Sequence, residues 1–266
     1  MLQLNSRLKK ELEKLVLCYF RKTTSTTKQI KMENSFRQTT VEKPRNTEQK
    51  CLCVLCLDVS GSMSGEPIKA LNEGLKKFAD EIKRDNVARK RLELSIVTFD
   101  DTISVVQEPD LVDFFTMPTL DTGGTTKLAN GVKEAIRKVE ERKQFYKDNG
   151  INYYRPFIVL MTDGEPDGDQ DLNSLAKEIK QGVEGKHFTF WAVGSQGYNY
   201  NKLASICYPH PPKSLQGLKY VEFFQWLSAT MTMVSKSSQD QKLLPPPTSS
   251  WELDDLSSNP TQSPVH

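Results

Sequence analysis

Oxygen-bearing side chains at three places in the chain could together bind a hard divalent cation. Asp58, Ser60 and Ser62 alternate in the stretch DVSGSMSG. In a glycine-containing loop, this spacing can turn one carboxylate and two hydroxyls towards a single point, because glycine lets the backbone bend. Thr125 follows a Gly-Gly pair, and Asp163 lies in the stretch TDGE. Mg²⁺ prefers such ligands and keeps several waters, so the sequence predicts a Mg²⁺ site that Mn²⁺ would also suit.

Buried strands must position these side chains. The stretch CLCVLCL at 51–57 and the stretch FIVLM at 157–161 are apolar runs of strand length. Such runs are typical of strands buried on both faces of a parallel sheet. Ligands of open α/β sheets gather beyond the carboxyl ends of the strands. We therefore expect two carboxylates and three hydroxyls to meet at one sheet edge, with a coordination position left for water or an incoming ligand.

The rest of the pattern alternates strands with helices of ten or more residues. Strands are predicted at 51–57, 92–99, 102–106, 157–161, 187–193 and 218–221. Helices are predicted at 66–84, from the Gly-Gly turn at 123–124 to about 144, at 171–183 and at 222–233. The alternation predicts an α/β, Rossmann-like fold with a mainly parallel central sheet and helices on both faces. The strand at 102–106 is predicted to pair with 92–99 through a tight turn, as one antiparallel edge strand.

Composition divides the chain into three segments. Residues 1–50 hold 12 Lys and Arg against 5 Asp and Glu, and 6–22 reads as a short basic amphipathic helix. That helix could bind a membrane surface or a partner helix, or it could be loosely docked or disordered. Residues 51–235 are expected to form the folded domain, and the Ser- and Pro-rich residues 236–266 to be a disordered tail. The net charge of +2 does not indicate a nucleic-acid partner. No segment has 18 consecutive apolar residues, so no membrane span is expected.

Cysteine usage indicates a reducing compartment. The five residues are Cys18, Cys51, Cys53, Cys56 and Cys207. An odd number with three in one apolar run is not typical of a disulfide framework, so we expect a cytoplasmic protein. Strand alternation places Cys51 and Cys53 on one face and Cys56 on the other. They are therefore predicted to be core residues and not ligands of one metal.

Two further polar features have simpler interpretations. Thr126 is predicted to start the helix that follows it and not to be a ligand. The acidic stretch 163–171 lacks the D-x-D-x-D spacing and the final Glu of an EF-hand loop. It is predicted to form a solvated turn with a helix cap, although its carboxylates could still make the rim of the metal site acidic.

These motifs resemble the metal-ion-dependent adhesion site of von Willebrand factor A (VWA) domains. The family pattern is D-x-S-x-S, then a Thr after a Gly-rich turn, then T-D-G, and the matching residues are Asp58, Ser60, Ser62, Thr125 and Asp163. The resemblance covers roughly residues 50–235 and implies the VWA fold. It also implies that the Ser and Thr side chains contact the metal directly, whereas the two Asp side chains act directly or through water. The open position would take an Asp or Glu of a protein partner.

A narrower resemblance is to the TerY-type proteins of tellurium-resistance gene clusters. It rests on the stretches DVSGSMSGEPIKALNEGL, SIVTFDD, GGTTKLANGV, VLMTDGEPDGD and FFQWLSATM. Such proteins are stand-alone cytoplasmic VWA domains linked to partner kinases and phosphatases. The resemblance implies a metal-dependent protein-protein interaction module of a stress-response system. The basic arm at 1–50 is not part of that family pattern.

The alternative is a Mg²⁺-dependent hydrolase or phosphotransfer enzyme, since a metal with carboxylates can polarise phosphoryl groups. The sequence contains no G-x-x-x-x-G-K-[ST] loop. Met63 occupies the nucleophile position of what would be a G-x-S-x-G elbow. Ser60 stands where a phosphatase-like D-x-D pattern would have its second carboxylate. The sequence therefore favours a binding protein over an enzyme.

Overall fold

In the computed structural model of the chain, the structure describes residues 46–168, 170–238 and 244–253. The strands are β1 (Cys51–Asp58), β2 (Leu92–Phe99), β3 (Ile103–Leu111), β4 (Phe157–Thr162), β5 (Thr189–Gly194) and β6 (Lys213–Ser214). The helices are α1 (Glu66–Arg84), α2 (Ala88–Arg91), α3 (Leu128–Asp148), α4 (Leu172–Glu184), α5 (Tyr200–Ile206) and α6 (Tyr220–Lys236). Short 3-10 turns cover Gly61–Met63 and Val112–Phe114. The helix predicted at 6–22 lies outside the described residues.

The six strands form one sheet in the order β3-β2-β1-β4-β5-β6. All neighbouring strands are parallel except β2 and β3, which are antiparallel. The predicted α/β fold, with a mainly parallel sheet and one antiparallel edge strand, is confirmed. The pairing of β2 with β3 contains register shifts, and the exposure of β3 alternates along its length, as expected of an edge strand.

Strand β1 is buried over its whole length because helices cover both faces of the sheet. Cys51 and Cys53 face one core, which α1 and α6 close. Cys56 faces the other core, which α3, α4 and α5 close. The prediction that the three cysteines are core residues on two faces is therefore confirmed, and all three thiols are free.

Helix α1 shows why the helices lie on the sheet. Its apolar residues Leu71, Leu75, Phe78 and Ile82 recur at helical spacing and are fully buried. Burying each such side chain stabilises the fold by about 1.5–3 kcal/mol. Gly74 lies on the same face, where a Cβ atom would meet the ring of Phe224 at 2.5 Å. The lack of a side chain there lets α1 and α6 approach closely.

Two strand predictions differ from the structure. The predicted last strand at 218–221 is wrong, because Leu218 and Lys219 lie in a turn and α6 begins at Tyr220. The sixth strand is instead Lys213–Ser214, which pairs with β5. The third strand is longer than the predicted 102–106 and extends to Leu111. Its alternating exposure continues through Glu108, two residues beyond the predicted end of the strand.

The expectation of disorder after residue 236 does not hold for residues 244–253, here called the C-terminal strap. Trp251 is fully buried, and its carbonyl oxygen accepts a hydrogen bond from the backbone N–H of Gln216 at 2.8 Å. The Nε1–H of Trp226 donates to the carbonyl oxygen of Pro246 at 2.7 Å. One large aromatic side chain supplies the apolar area that the polar composition of the strap otherwise lacks.

A closed ion pair lies at the amino ends of the strands. Glu93, near the start of β2, accepts hydrogen bonds from Arg142 Nε at 2.7 Å and from Arg142 Nη2 at 3.0 Å. The hydroxyl of Tyr146 donates to the same carboxylate at 2.6 Å. The side chains of Glu93 and Arg142 are only 4% and 9% exposed. This group, here called the amino-edge pair, joins α3 to the sheet.

Among the described residues, no helix combines the length and the apolarity that crossing a membrane would require.

Candidate metal site

The two predicted carboxylates lie side by side at the carboxyl edge of the sheet. Asp58 is the last residue of β1, and Asp163 directly follows the last residue of β4. Strand β1 has β2 on one side and β4 on the other, so the connections leaving this point run in opposite directions. Such a switch point opens a crevice beyond the strand ends, where ligands of α/β sheets bind.

Hydrogen bonds connect four of the five predicted ligands. The backbone N–H of Ser60 donates to Asp58 Oδ1 at 2.9 Å. The hydroxyls of Ser60 and Ser62 are 3.0 Å apart. The hydroxyl of Ser62 also donates to Asp163 Oδ1 at 2.8 Å, which spans the gap between the loops after β1 and β4. The network brings two carboxylates and two hydroxyls to one place.

The fifth predicted ligand, Thr125, lies on a loop that is fastened to the same place. The backbone N–H of Gly123 donates to the Val59 carbonyl at 2.9 Å, and Gly61 N–H donates to the Gly124 carbonyl at 3.2 Å. Gly124 has φ of 64°, a conformation that favours glycine. Thr125 itself is exposed, and in the described part of the chain its hydroxyl makes no hydrogen bond to the four connected residues.

Two threonines that the sequence pattern did not assign to the site also belong to it. The hydroxyl of Thr162 donates to Asp58 Oδ2 at 2.5 Å. Thr126 is buried, and its Oγ1 lies 3.2 Å from the position that a Cβ atom on Gly164 would occupy, with Asp58 Oδ2 3.7 Å from that point. The prediction that Thr126 starts a helix is wrong, because α3 begins at Leu128. The sequence signals that could have identified these two threonines are the T-D-G and G-G-T-T stretches that contain them.

Burial dominates the electrostatics of the site. It raises the pKa of Asp58 from an ordinary 3.8 to about 6, although hydrogen bonds from Ser60 and Thr162 oppose the rise. The carboxylate of Asp163 raises it further by like-charge repulsion. Burial likewise raises the pKa of Asp163, against the bond from Ser62. Within the described residues, neither carboxylate forms an ion pair with Lys, Arg or His.

The donor set fits a hard divalent cation. It consists of oxygen atoms only, and two carboxylates share a buried place where a positive charge would relieve both desolvation and mutual repulsion. No group of three or more His, Cys, Asp or Glu residues suited to a metal occurs in the described part of the chain. A site here would therefore rely on hydroxyl and water ligands in addition to its two carboxylates.

The loop after β4 is held by its own contacts. Glu165 accepts hydrogen bonds from Asn199 Nδ2 at 2.6 Å and from Lys202 Nζ at 2.7 Å. Asp171 accepts from the backbone N–H of Ser174 at 2.9 Å and caps α4, which confirms the predicted helix cap. These contacts fix the backbone that presents Asp163.

Comparison with curated proteins finds similarity to a much longer chain. The inter-alpha-trypsin inhibitor heavy chain H3 of Mesocricetus auratus is 23% identical over 157 residues, which cover 58% of this chain and 17% of that protein. The same protein of Mus musculus is 24% identical over 158 residues, with the same coverage. The chain thus spans less than a fifth of the length of these relatives.

The chain is similar to solved structures at low sequence identity, and of the following two, the one with the higher TM-score shares its fold. The pilus adhesin SpaC of Lactobacillus rhamnosus GG, in its open conformation, aligns with a TM-score of 0.56 and 13% identity, covering 71% of this chain and 31% of that one. Proximal thread matrix protein 1 of the mussel byssus, with a zinc-occupied MIDAS motif, aligns with a TM-score of 0.44 and 17% identity, covering 71% and 46%.

A family model covers more than half of the chain. The model of the von Willebrand factor type A domain matches residues 53–214, a range that contains all five predicted ligands and the strands that carry them. The fold, the strand order and this match agree. The chain belongs to the von Willebrand factor type A domain family.

Proposed function

We propose that the chain is a metal-dependent protein-interaction module whose Mg²⁺ site takes an acidic side chain of a protein partner. The observation that carries this proposal is the pairing of two buried carboxylates through a chain of hydroxyls at the switch point of the sheet. VWA domains often mediate metal-dependent protein interactions, which supports the same function. The proposal concerns binding and not catalysis.

The proposed ligands are the five residues of the sequence motif. Ser60, Ser62 and Thr125 would contact Mg²⁺, or Mn²⁺ in its place, through their hydroxyls. Asp58 and Asp163 would do so directly or through water. When bound, the ion supplies a positive charge that can accept a carboxylate oxygen. The protein's own part is to hold these oxygens in place through the hydrogen bonds described above.

The finer proposal follows the TerY-type resemblance. In this proposal the module acts in the cytoplasm, in a stress response of the tellurium-resistance kind. Its partner presents an Asp or Glu residue and is a kinase or phosphatase of the same gene cluster. The motif stretches GGTTKLANGV and VLMTDGEPDGD support this proposal, and the match to the broader VWA family is compatible with it.

Calorimetric titration with Mg²⁺ tests the metal site itself. We expect the full chain to bind one Mg²⁺ and Asp58→Asn to bind none, because the variant loses a charged ligand. Asp121→Asn is the matched control, since Asp121 is an exposed carboxylate four residues before Thr125. Equal Mg²⁺ binding by Asp58→Asn and Asp121→Asn would place the metal elsewhere.

Affinity capture from native lysate tests the interaction. We expect a partner that is retained in Mg²⁺ and lost in chelator, and that Asp163→Ala fails to retain while Asp121→Asn retains it. A partner held equally by Asp163→Ala would show that the metal plays no part in its binding. Turnover of a phosphoester that disappears in Asp58→Ala would instead favour an enzyme.

A further inference from the structure

A cavity of about 570 Å³ lies against β5, and none of the five motif residues lines it. Its walls come from β5, from α6, from the proline-containing turn before β6 and from the C-terminal strap. The volume falls within the range of small-molecule sites, about 300–1,000 Å³. The strap forms one side of the cavity through Pro245, Pro246, Pro247, Thr248 and Trp251.

Aromatic rings and prolines form most of the wall. Trp191, Trp226 and Trp251, which are all the tryptophans of the chain, line it together with Phe223. The rings of Trp191 and Trp226 have centroids 5.4 Å apart, and those of Trp226 and Trp251 are 5.2 Å apart. Trp251 and Phe223 are buried behind the wall, so Trp191 and, to a smaller extent, Trp226 present ring surface to the cavity. Such ring surfaces favour a planar apolar ligand, because stacked and edge-to-face ring contacts add to the burial of area.

The charged groups around the cavity have one sign. Arg155 and Lys213 line it, and no Asp or Glu is among the described residues that do so. Glu252 neutralises Lys213 through contacts of 2.6 and 2.8 Å. Arg155 is exposed, and none of the ion pairs within the described part of the chain includes it. Its guanidinium is thus the group at the cavity that is available to an anion.

The geometry points to a second binding site, for a planar aromatic carboxylate, with the ring against Trp191 and Trp226 and the carboxylate on Arg155. A guanidinium binds a carboxylate through two parallel hydrogen bonds. The site is independent of the motif at the carboxyl edge, so it requires no divalent metal.

Titration of the full chain with 2-naphthoate in chelator tests the site. Calorimetry should show one saturable site, and the indole N–H signals of Trp191 and Trp226 in a two-dimensional ¹⁵N spectrum should shift together, since both rings present surface to the cavity. Arg155→Gln should weaken 2-naphthoate binding about three- to fivefold, as expected for an exposed ion pair. The neutral 2-naphthamide should bind wild type and Arg155→Gln equally.

Arg84→Gln is the matched control, because Arg84 is an exposed arginine at the end of α1 that does not line the cavity. It should leave 2-naphthoate binding unchanged. The site is overturned by any of three results. These are no saturable binding at concentrations on the order of 1 mM, unshifted indole signals at saturation, or equal weakening by Arg155→Gln and Arg84→Gln.

Discussion

Two buried carboxylate groups lie at opposite ends of the central strands, and they differ in the groups that compensate their charge. At the amino edge, Glu93 receives two hydrogen bonds from Arg142 and one from Tyr146. At the carboxyl edge, Asp58 and Asp163 receive bonds from hydroxyls and backbone N–H groups, and no cationic side chain of the described residues pairs with them. Glu93 pairs with Leu52, six positions before Asp58, so the groups are roughly 20 Å apart.

The difference separates a structural carboxylate from a binding one. A buried charge is costly unless a partner compensates it. The amino-edge pair contains its own compensation, and its role ends with joining α3 to the sheet. The carboxyl-edge carboxylates have raised pKa values because hydroxyls alone do not offset burial. A cation from solution would compensate the charge of Asp58 and Asp163, whereas the amino-edge pair needs no such cation.

The largest effect is expected from breaking the amino-edge pair. Arg142→Leu removes both guanidinium hydrogen bonds from buried Glu93 and leaves Lys50 as the nearby cation, so the free energy of unfolding should fall by about 3–5 kcal/mol. Urea unfolding measures this. Arg137→Leu on the same helix is the control, since Arg137 is half exposed and pairs with Glu134 and Glu141 at the surface. It should cost about 0–1 kcal/mol. Equal losses would remove the distinction between a closed pair and a surface pair.

Removing a carboxylate at the carboxyl edge should not lower the free energy of unfolding in chelator. Asp58→Asn removes a buried charge that no cationic side chain of the described residues offsets, so in chelator at pH 8 the variant should be at least as stable as wild type. Mg²⁺ at a hundred times its Kd should stabilise wild type by about 2.7 kcal/mol and leave the variant unchanged. Thermal or urea unfolding in both conditions measures the difference. A large loss of stability in chelator would show that Asp58, like Glu93, is compensated within the protein.

The pH dependence of the free energy of unfolding, measured in chelator, should report the titration of Asp58. The folded-state pKa of Asp58 is about 6 against an ordinary 3.8, so the folded state holds this proton more tightly. Its contribution to stability is present below pH 3.8 and is lost as the pH rises to 6. The loss should be about 3 kcal/mol. The wild-type profile minus that of Asp58→Asn isolates it. Parallel profiles between pH 4 and 6 would contradict the raised pKa.

The sequence predicts the carboxylate group at the carboxyl edge of the sheet but not the amino-edge pair. The apolar run 51–57 followed by Asp58-x-Ser60-x-Ser62 predicts both a central strand and the loop at its end, because strand and ligand signals are local. The folded structure brings Asp163 to the same place through pairing of β1 with β4, which the matching run 157–161 also indicates. Fold class and metal-site position therefore follow from short stretches of sequence.

The rest depends on contacts between distant residues. Glu93, Arg142 and Tyr146 are separated by 49 and 53 positions, and no spacing rule connects them. Thr162 belongs to the T-D-G stretch, but the sequence assigns its hydroxyl no partner, and the structure shows that it donates to Asp58. Trp251 lies in a polar, Pro-rich stretch whose composition indicates disorder. Its burial against Phe223 and Trp226 is a tertiary effect that overrides local composition.

The smallest effects should come from removing one hydroxyl at each edge. Tyr146→Phe deletes a donor to Glu93 and leaves the Arg142 bonds, so unfolding free energy should fall by about 1–2 kcal/mol equally in Mg²⁺ and in chelator. Thr162→Val deletes the donor to Asp58 Oδ2. Since that bond orients a proposed ligand, Mg²⁺ affinity should fall about tenfold, whereas Tyr146→Phe should leave it unchanged.

Calorimetric Mg²⁺ titration and urea unfolding of both variants give the four values that this contrast requires. The two carboxylate groups are distinct if only Thr162→Val changes metal affinity. If Tyr146→Phe also weakens Mg²⁺ binding, the two edges are coupled through the strands between them. In that case the amino-edge pair would contribute to the site as well as to the fold.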